Sequence, residues 1–247
     1  MKYIEYGKQT SDVIILLHGG GLSWWNYREV AQQLMDDYHV ILPILDGHAN
    51  SDQNFTSIEQ NALAIIQWID QHHVGKVLMI GGVSLGAQIA LEILSQRPKI
   101  SQYALIESAN VIPSKWLHSM IEPAFRCSYP LIHQKWFAKL QFQSLRIKES
   151  LFEDYFQDTC GITKENLIAF MQASTMYSMK DSLENTSAKV HIFVGEREQR
   201  GMLKSASLIH KKIKESSLHM LPGMYHGEFS MNYAKDYVET IRSTLNK

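Results

Sequence analysis

Short, fully apolar runs alternate with segments of helical spacing along the first part of the chain. Such runs are typical of strands buried on both faces, whereas apolar residues recurring every three or four positions are typical of amphipathic helices. The pattern predicts strands at 13–17, 38–44, 76–81 and 103–106, and helices at 24–35, 58–69 and 85–95. This alternation indicates an α/β fold whose mostly parallel central sheet is flanked by helices.

The alternation stops at residue 113 and returns at residue 184. The intervening segment shows no strand pattern, is helical in composition and is rich in aromatic, Met and Gln residues. Strands then follow at 190–194 and 217–221, and helices at 203–213 and 232–245. We therefore predict a core domain formed by residues 1–112 and 184–247, with a helical insertion at 113–183 over the sheet edge. Most of its aromatic residues should form the insertion's own core, and a minority should face a pocket below.

Composition narrows the class of protein further. The chain has 247 residues, of which 45% are hydrophobic and 20% charged, so a packed core is expected. A net charge of −1 gives no bulk attraction for nucleic acid or an acidic membrane. Cys127 and Cys160 lack disulfide-framework or metal-site spacing, and the first residues lack an apolar signal core. We expect a cytoplasmic protein with reduced thiols, no metal, and neither nucleic acid nor membrane as a partner.

Ser84 is the first candidate for chemistry. It lies in Gly82-Val83-Ser84-Leu85-Gly86, between a predicted buried strand and a predicted helix. Gly and Ser are also ordinary turn residues, so a purely structural turn is the alternative. The strand-to-helix context favours a sharp turn that exposes a nucleophile, with small residues where neighbouring strands crowd the backbone. Free N–H groups at the helix start would favour developing negative charge there.

A serine hydroxyl needs a base, and the base needs an acid to orient it. His226 follows the last predicted strand, whereas His219 lies within that strand and His210 on a helix, so His226 is the preferred base. Glu198, just past the strand at 190–194, is the preferred acid. Two other carboxylates stay open as alternatives: Glu196 in the same turn, and Glu107 at the end of the strand at 103–106.

The glycine-rich run His18-Gly19-Gly20-Gly21 ends the first predicted strand. A tetrahedral intermediate needs backbone donors, and we assign these to the N–H groups of Leu85 and Gly20. We expect His18 to brace its loop rather than to catalyse. Gly21 and Trp24 are the predicted substrate contacts, although Trp24 and its neighbour Trp25 could equally pack in the core.

Taken together, these motifs resemble the α/β-hydrolase superfamily. The nucleophile, acid and histidine occur in that family's chain order, and the insertion occupies the position of its cap. Two departures are visible: the loop that often reads Pro-Gly-His-Gly-x-Ser is Leu-Asp-Gly-His-Ala-Asn-Ser at 45–51, and the acid is Glu where Asp is commoner. The His-Gly-Gly-Gly run also occurs in hormone-sensitive-lipase-like esterases, but Val83 stands where those usually carry Asp. The resemblance implies one of the smaller capped hydrolases.

The expected function is cofactor-independent hydrolysis of a small carboxylic ester through an acyl-enzyme on Ser84. The partner is then a small-molecule acyl substrate, and a homodimer is left open. The same residues serve thioesterases, lactonases, amidases and carbon–carbon bond hydrolases, so these remain alternatives within the fold. A ligand-binding protein with an idle triad is the alternative outside enzymology. Neither a Rossmann glycine pattern nor a histidine–carboxylate cluster with metal spacing is seen.

Overall fold

Seven strands form one sheet in the computed structural model, which describes residues 1–73 and 75–245. The strands are β1 (Tyr3–Tyr6), β2 (Val13–Leu17), β3 (His39–Pro43), β4 (Val77–Val83), β5 (Ser101–Glu107), β6 (Lys189–Gly195) and β7 (Ser216–Leu221). Their order is β1-β3-β2-β4-β5-β6-β7, with β1 antiparallel to β3 and every other pair parallel. The predicted fold class is confirmed.

Ten α-helices accompany the sheet in the described ranges. They are α1 (Arg28–Leu34), α2 (Ile58–His72), α3 (Leu85–Gln96), α4 (Lys115–Ile132), α5 (Lys135–Ser144), α6 (Phe152–Gly161), α7 (Lys164–Met176), α8 (Arg200–Lys212), α9 (Glu228–Asn232) and α10 (Ala234–Leu245). The segment predicted as one helix at 24–35 begins instead as a 3-10 turn, Trp24–Tyr27. The pattern missed β1, because its four residues, none of them buried, carry too little periodicity.

Hydrophobic cores cover both faces of the sheet. Successive strand residues point to opposite faces, so Ile15 joins the core under α2, α3 and α8 while Ile14 joins the core under α1 and α10. Strand β2 is buried along its whole length, which is why it reads as a continuous apolar run. The loops at the carboxyl ends of the strands are thereby fixed on a rigid base.

Helices α4 to α7 lie between β5 and β6 in the chain and contribute to the cavities at the carboxyl ends of the strands. Gln88 on α3 joins this segment to the core, since its Nε2 donates to Asn110 O, ahead of α4, at 2.7 Å and to Ser174 O, in the last turn of α7, at 2.9 Å. Arg28 and Asp154 add a bidentate ion pair at 2.9–3.0 Å. The structure therefore places helices in the insertion, while its division from the core at 113 and 183 stays a prediction.

The described residues contain neither a membrane-spanning helix nor a cluster of metal ligands. None of their helices combines the length and the apolarity needed to span a bilayer. Within the same residues, no group of three or more His, Cys, Asp or Glu side chains could hold a metal ion.

Candidate active site

Ser84 occupies a strained turn between β4 and α3. Its backbone angles are φ 54° and ψ −114°, a region that residues with a side chain rarely adopt. The flanking glycines are required by close packing. A Cβ on Gly86 would lie 2.1 Å from Leu17 O, and one on Gly82 would lie 2.5 Å from Gly86 O. The local sequence therefore folds into a tight elbow that presents the serine hydroxyl at the sheet edge.

A continuous chain of hydrogen bonds joins Ser84, His226 and Glu198. The Ser84 hydroxyl lies 2.9 Å from His226 Nε2, and His226 Nδ1 lies 2.8 Å from Glu198 Oε2. The Glu198 side chain is 1% exposed and that of His226 is 45% exposed. With its proton on Nδ1 donated to Glu198, the ring presents an unprotonated Nε2 to the serine. The structure thus brings the three predicted residues together in the order that nucleophilic catalysis needs.

Ser108 completes the setting of the carboxylate. Glu198 Oε1 accepts from the Gly195 N–H at 2.9 Å and from the Ser108 hydroxyl at 2.8 Å. Ser108 Oγ also accepts from the Gly227 N–H, next to His226, at 3.1 Å. Ser108 was missed in the sequence because a serine after a strand is unremarkable. Its position directly after β5, at the same sheet edge, is the only signal that could have indicated it.

The two alternative acids point elsewhere. Glu196 Oε2 accepts from the Gly223 N–H at 2.8 Å. Glu107 is buried and accepts from the N–H groups of Phe229 and Ser230 at the start of α9. Burial raises the pKa of Glu107 to about 7, against the hydrogen bonds from Ser230. Within the described chain, the carboxylate that hydrogen-bonds the His226 ring is that of Glu198.

The loop after β2 presents the second predicted backbone donor. Neither the Gly20 nor the Leu85 N–H has an acceptor among the described residues, so both are available to a substrate oxygen. Gly21, by contrast, donates its N–H to His48 Nε2 at 3.1 Å. Gly21 adopts φ +74°, a left-handed conformation that turns the chain away after Gly20.

Two buried histidines brace this loop. His18 bridges it to the next loop, with Nδ1 2.9 Å from Gly19 O and Nε2 accepting from the Leu45 N–H at 3.2 Å. Burial, reinforced by the charge of His48, holds the pKa of His18 well below its usual value. Burial also lowers the pKa of His48 to about 4. Both rings are therefore neutral supports near pH 7, and the bracing contributed by His48 was not foreseen.

The site opens into a cavity of about 400 Å³. Apolar side chains that line it include Leu22, Leu145, Phe170 and Met231. A second cavity of about 210 Å³ adjoins it, sharing Leu145 and Phe170 and including Gly21.

The expectation for Trp24 requires correction. Trp24 lines neither cavity. Its ring instead contacts the Arg28 guanidinium, whose Cζ lies 4.7 Å from the ring centroid. Trp25 is buried and donates its indole N–H to Asp158 at 2.7 Å. Both residues lie in the 3-10 turn, a backbone path that the expected regular helix did not reveal.

Comparison with known proteins identifies the family of the chain. The family defined by the alpha/beta hydrolase fold matches residues 12–173, more than half of the chain, and the chain belongs to that family. It is 27% identical to Lipase 3 of Moraxella sp. (strain TA144) over 113 residues, which are 44% of this chain and 36% of that protein. A similar match to Lipase 1 of Psychrobacter immobilis is 26% identical and covers 44% and 35% of the two chains. The match thus spans about a third of the length of these relatives.

Solved structures show the same fold at low identity. An esterase from Exiguobacterium antarcticum superimposes with a TM-score of 0.82 at 18% identity, covering 99% of this chain and 95% of that one. An enol-lactonase from Burkholderia xenovorans LB400 gives 0.82 at 13% identity, covering 100% and 96%. At such identities these likenesses speak for the fold alone.

Proposed function

We propose that this member of the alpha/beta hydrolase fold family is a serine hydrolase that cleaves small carboxylic esters through an acyl-enzyme on Ser84. The single observation that carries the proposal is the unbroken hydrogen-bond chain from Ser84 through His226 to the buried Glu198. The local likeness to two bacterial lipases supports hydrolysis of an ester bond.

Acylation begins when Ser84 Oγ attacks the ester carbonyl carbon and His226 Nε2 takes the hydroxyl proton. Glu198 stabilises the resulting imidazolium without itself taking a proton. The carbonyl oxygen becomes an oxyanion that the N–H groups of Gly20 and Leu85 can receive. When the carbon–oxygen bond to the alcohol breaks, His226 returns the proton to the leaving oxygen.

Deacylation repeats these steps with water. His226 removes a proton from a water molecule that attacks the acyl carbon, and the same two N–H groups hold the second oxyanion. Collapse releases the carboxylic acid and returns the proton to Ser84. The 45% exposure of the His226 side chain supports this step, since water can reach the ring.

Hydrolysis of p-nitrophenyl esters with acyl chains of two to eight carbons tests the proposal. We expect Ser84→Ala to lower kcat at least about 10⁴-fold, as removal of a triad nucleophile does. Ser128→Ala, at a half-buried serine of α4 that lines neither cavity, is the matched control and should keep the wild-type rate. Equal rates for the wild type and Ser84→Ala would refute the proposal.

A fluorophosphonate probe separates a wrong substrate from a wrong site. If the probe labels Ser84 but the protein cleaves none of these esters, Ser84 is still the nucleophile, and thioesters, lactones and dienoic ketones become the substrates to test. Saturable ligand binding with no labelling would favour the ligand-binding alternative.

A further inference from the structure

A tyrosine that contacts two arginines lies at the wall of the 400 Å³ cavity. The Arg146 Cζ is 3.7 Å from the Tyr225 ring centroid, and the Arg197 Cζ is 5.6 Å from it. Arg197 Nη1 also donates to the Tyr225 hydroxyl at 3.3 Å. All three residues line the cavity that contains Ser84, and Tyr225 directly precedes His226. The stack therefore belongs to the same chamber as the proposed nucleophile.

Both guanidinium groups lack a carboxylate partner within the described chain. Four of the five other arginines, by contrast, form ion pairs with carboxylates: Arg28, Arg97, Arg126 and Arg242. The acids whose charge acts on Arg197 are Glu196 and Glu228. Glu196 accepts from the Gly223 N–H and Glu228 from the Tyr225 N–H, each at 2.8 Å. The two arginines thus retain unused donors at the cavity, whose lining carboxylate, Glu198, is already bonded to His226.

Arg146 is held in place at a conformational cost. Its φ of 56° is a left-handed conformation that is unfavourable for a residue with a side chain. Asn232, from the core domain, fixes this turn. Its Nδ2 donates to Arg146 O at 2.7 Å, and its Oδ1 accepts from the Lys148 N–H at 3.0 Å. The turn that carries the Arg146 guanidinium is therefore anchored to the core rather than left to the insertion alone.

The tyrosine hydroxyl reports a positive local field. The hydrogen bond from Arg197 lowers the pKa of Tyr225, and the charges of both arginines add to this effect against the opposing charge of Glu228. A negative group would be stabilised at the same place for the same reason. Guanidinium groups suit this task, because their planar N–H fork matches the two oxygens of a carboxylate.

We propose that Arg146, Tyr225 and Arg197 bind a carboxylate of the substrate, so that Ser84 acts preferentially on esters that carry a free carboxylate, such as half-esters of dicarboxylic acids. This inference rests on the proposed ester hydrolysis and specifies its substrate class. The apolar side chains of Leu22, Leu145 and Met231 line the same cavity and would contact the methylene chain between the two ends.

Three methyl esters of matched length test the charge preference directly. Monomethyl adipate, methyl hexanoate and methyl 5-aminopentanoate share the ester and four methylenes, and end in carboxylate, methyl and ammonium respectively. We expect kcat/KM to fall in that order, with at least about a fivefold step from carboxylate to methyl. Turnover of methyl hexanoate at a rate equal to or above that of the half-ester would overturn the inference and leave ester hydrolysis intact.

Charge-removing variants locate the preference. We expect Arg146→Gln and Arg197→Gln each to lower kcat/KM for monomethyl adipate about fivefold while leaving that for methyl hexanoate within twofold. Arg126→Gln, at an exposed arginine of α4 paired with Glu122, is the matched control and should change neither value. A preference that survives in the Arg146→Gln/Arg197→Gln double variant would assign it to other residues and refute the proposal.

Binding of adipate to the Ser84→Ala protein, measured by calorimetry, gives a readout independent of turnover. We expect saturable binding that the Arg146→Gln/Arg197→Gln pair weakens at least tenfold and that 0.5 M NaCl weakens as well. If adipate binding depends on the arginines but the wild type hydrolyses none of the three esters, the proposed anion site is supported and the proposed ester hydrolysis is refuted. If the double variant binds adipate as tightly as its parent, the proposed anion site is refuted.

Discussion

The floor and the roof of the cavity are held by different means. The floor consists of the loops that follow β2, β4, β6 and β7, and its key positions are set by backbone packing against the sheet, as at Gly86. The roof consists of α4 to α7 and the turn at 145–148, joined to the core by side-chain contacts. Seven of the eleven exposed large apolar side chains in the described chain lie in the roof: Trp116, Leu117, Met120, Leu131, Trp136, Leu140 and Leu145.

This difference separates chemistry from selection. The floor contains the proposed nucleophile, base, acid and backbone donors, all within loops whose paths the strands fix. The roof contributes Phe170 and Arg146 to the cavity wall. Substitutions of the proposed catalytic residues or of the tightly packed glycines in the floor should therefore abolish the reaction or the fold. Substitutions of cavity-lining residues in the roof, and of Arg197 in the floor, should instead change which substrates react.

The largest expected effect contrasts two glutamates of one floor loop. We expect Glu198→Gln to lower kcat by about 10⁴-fold, because an amide cannot hold the His226 ring in the required tautomer or stabilise its charge. Glu196→Gln should change kcat less than about threefold, since Glu196 caps the Gly223 N–H. Steady-state rates on a short p-nitrophenyl ester measure both. If Glu196→Gln lowers kcat more than Glu198→Gln does, Glu196 rather than Glu198 is the acid.

Next in size is a pair of glycines. Gly86→Ala would place a Cβ 2.1 Å from Leu17 O, and we expect a loss of more than about 4 kcal/mol in the free energy of unfolding. Gly201→Ala on α8 meets nothing within 4 Å and should gain about 0.5 kcal/mol from the lower helix cost of Ala. Urea titration measures both, and a stable Gly86→Ala protein would contradict the rigid floor.

A roof pair sharpens the contrast. Phe170 and Phe142 are both fully buried, but Phe170 lines both cavities and stacks on His48 at 4.4 Å, whereas Phe142 packs against Phe152 and lines neither. Each Phe→Ala change should cost about 3–5 kcal/mol of stability. Only Phe170→Ala should shift the preferred ester toward longer acyl chains. If both variants shift equally, the acyl-chain preference depends on the general packing of the roof and not on the side chain that lines the cavity.

The smallest expected effect is a pH dependence of the free energy of unfolding, which arises from the buried Glu107. Burial raises the pKa of Glu107 from its usual 4.5 to about 7, so the folded state binds a proton that the unfolded state has released. The associated stability is present below pH 4.5 and is lost as the pH rises through about 7. Nearby Glu198 and His226 act on the same group, with opposite signs.

Glu107→Gln isolates this contribution. The amide oxygen can keep the bonds that Oε1 accepts from Phe229 and Ser230, but it does not titrate. We expect the wild type to lose up to about 3 kcal/mol relative to this variant between pH 5 and pH 8, measured by urea titration. A difference that does not change with pH would show that Glu107 is not protonated in the folded state.

Sequence reasoning was most successful where a strand ends. Ser84 and His226 could be predicted because buried apolar runs locate the strands, and parallel strands bring their carboxyl ends to one edge. The antiparallel strand β1 was not predicted, because an edge strand shows little apolar pattern. Trp24 was misplaced because the periodicity does not distinguish a 3-10 turn from the first turn of a helix.

The sequence by itself determined the layered sheet, the elbow at Ser84 and the helical nature of the insertion, since each depends on local spacing of apolar residues and glycines. Only the tertiary structure decided that Glu198 rather than Glu196 meets His226, that Ser108 supports it, and that Arg146 and Arg197 stack on one tyrosine. Those contacts join residues from 28 to 90 positions apart in the chain. Their geometry follows from how whole elements pack, which no local pattern encodes.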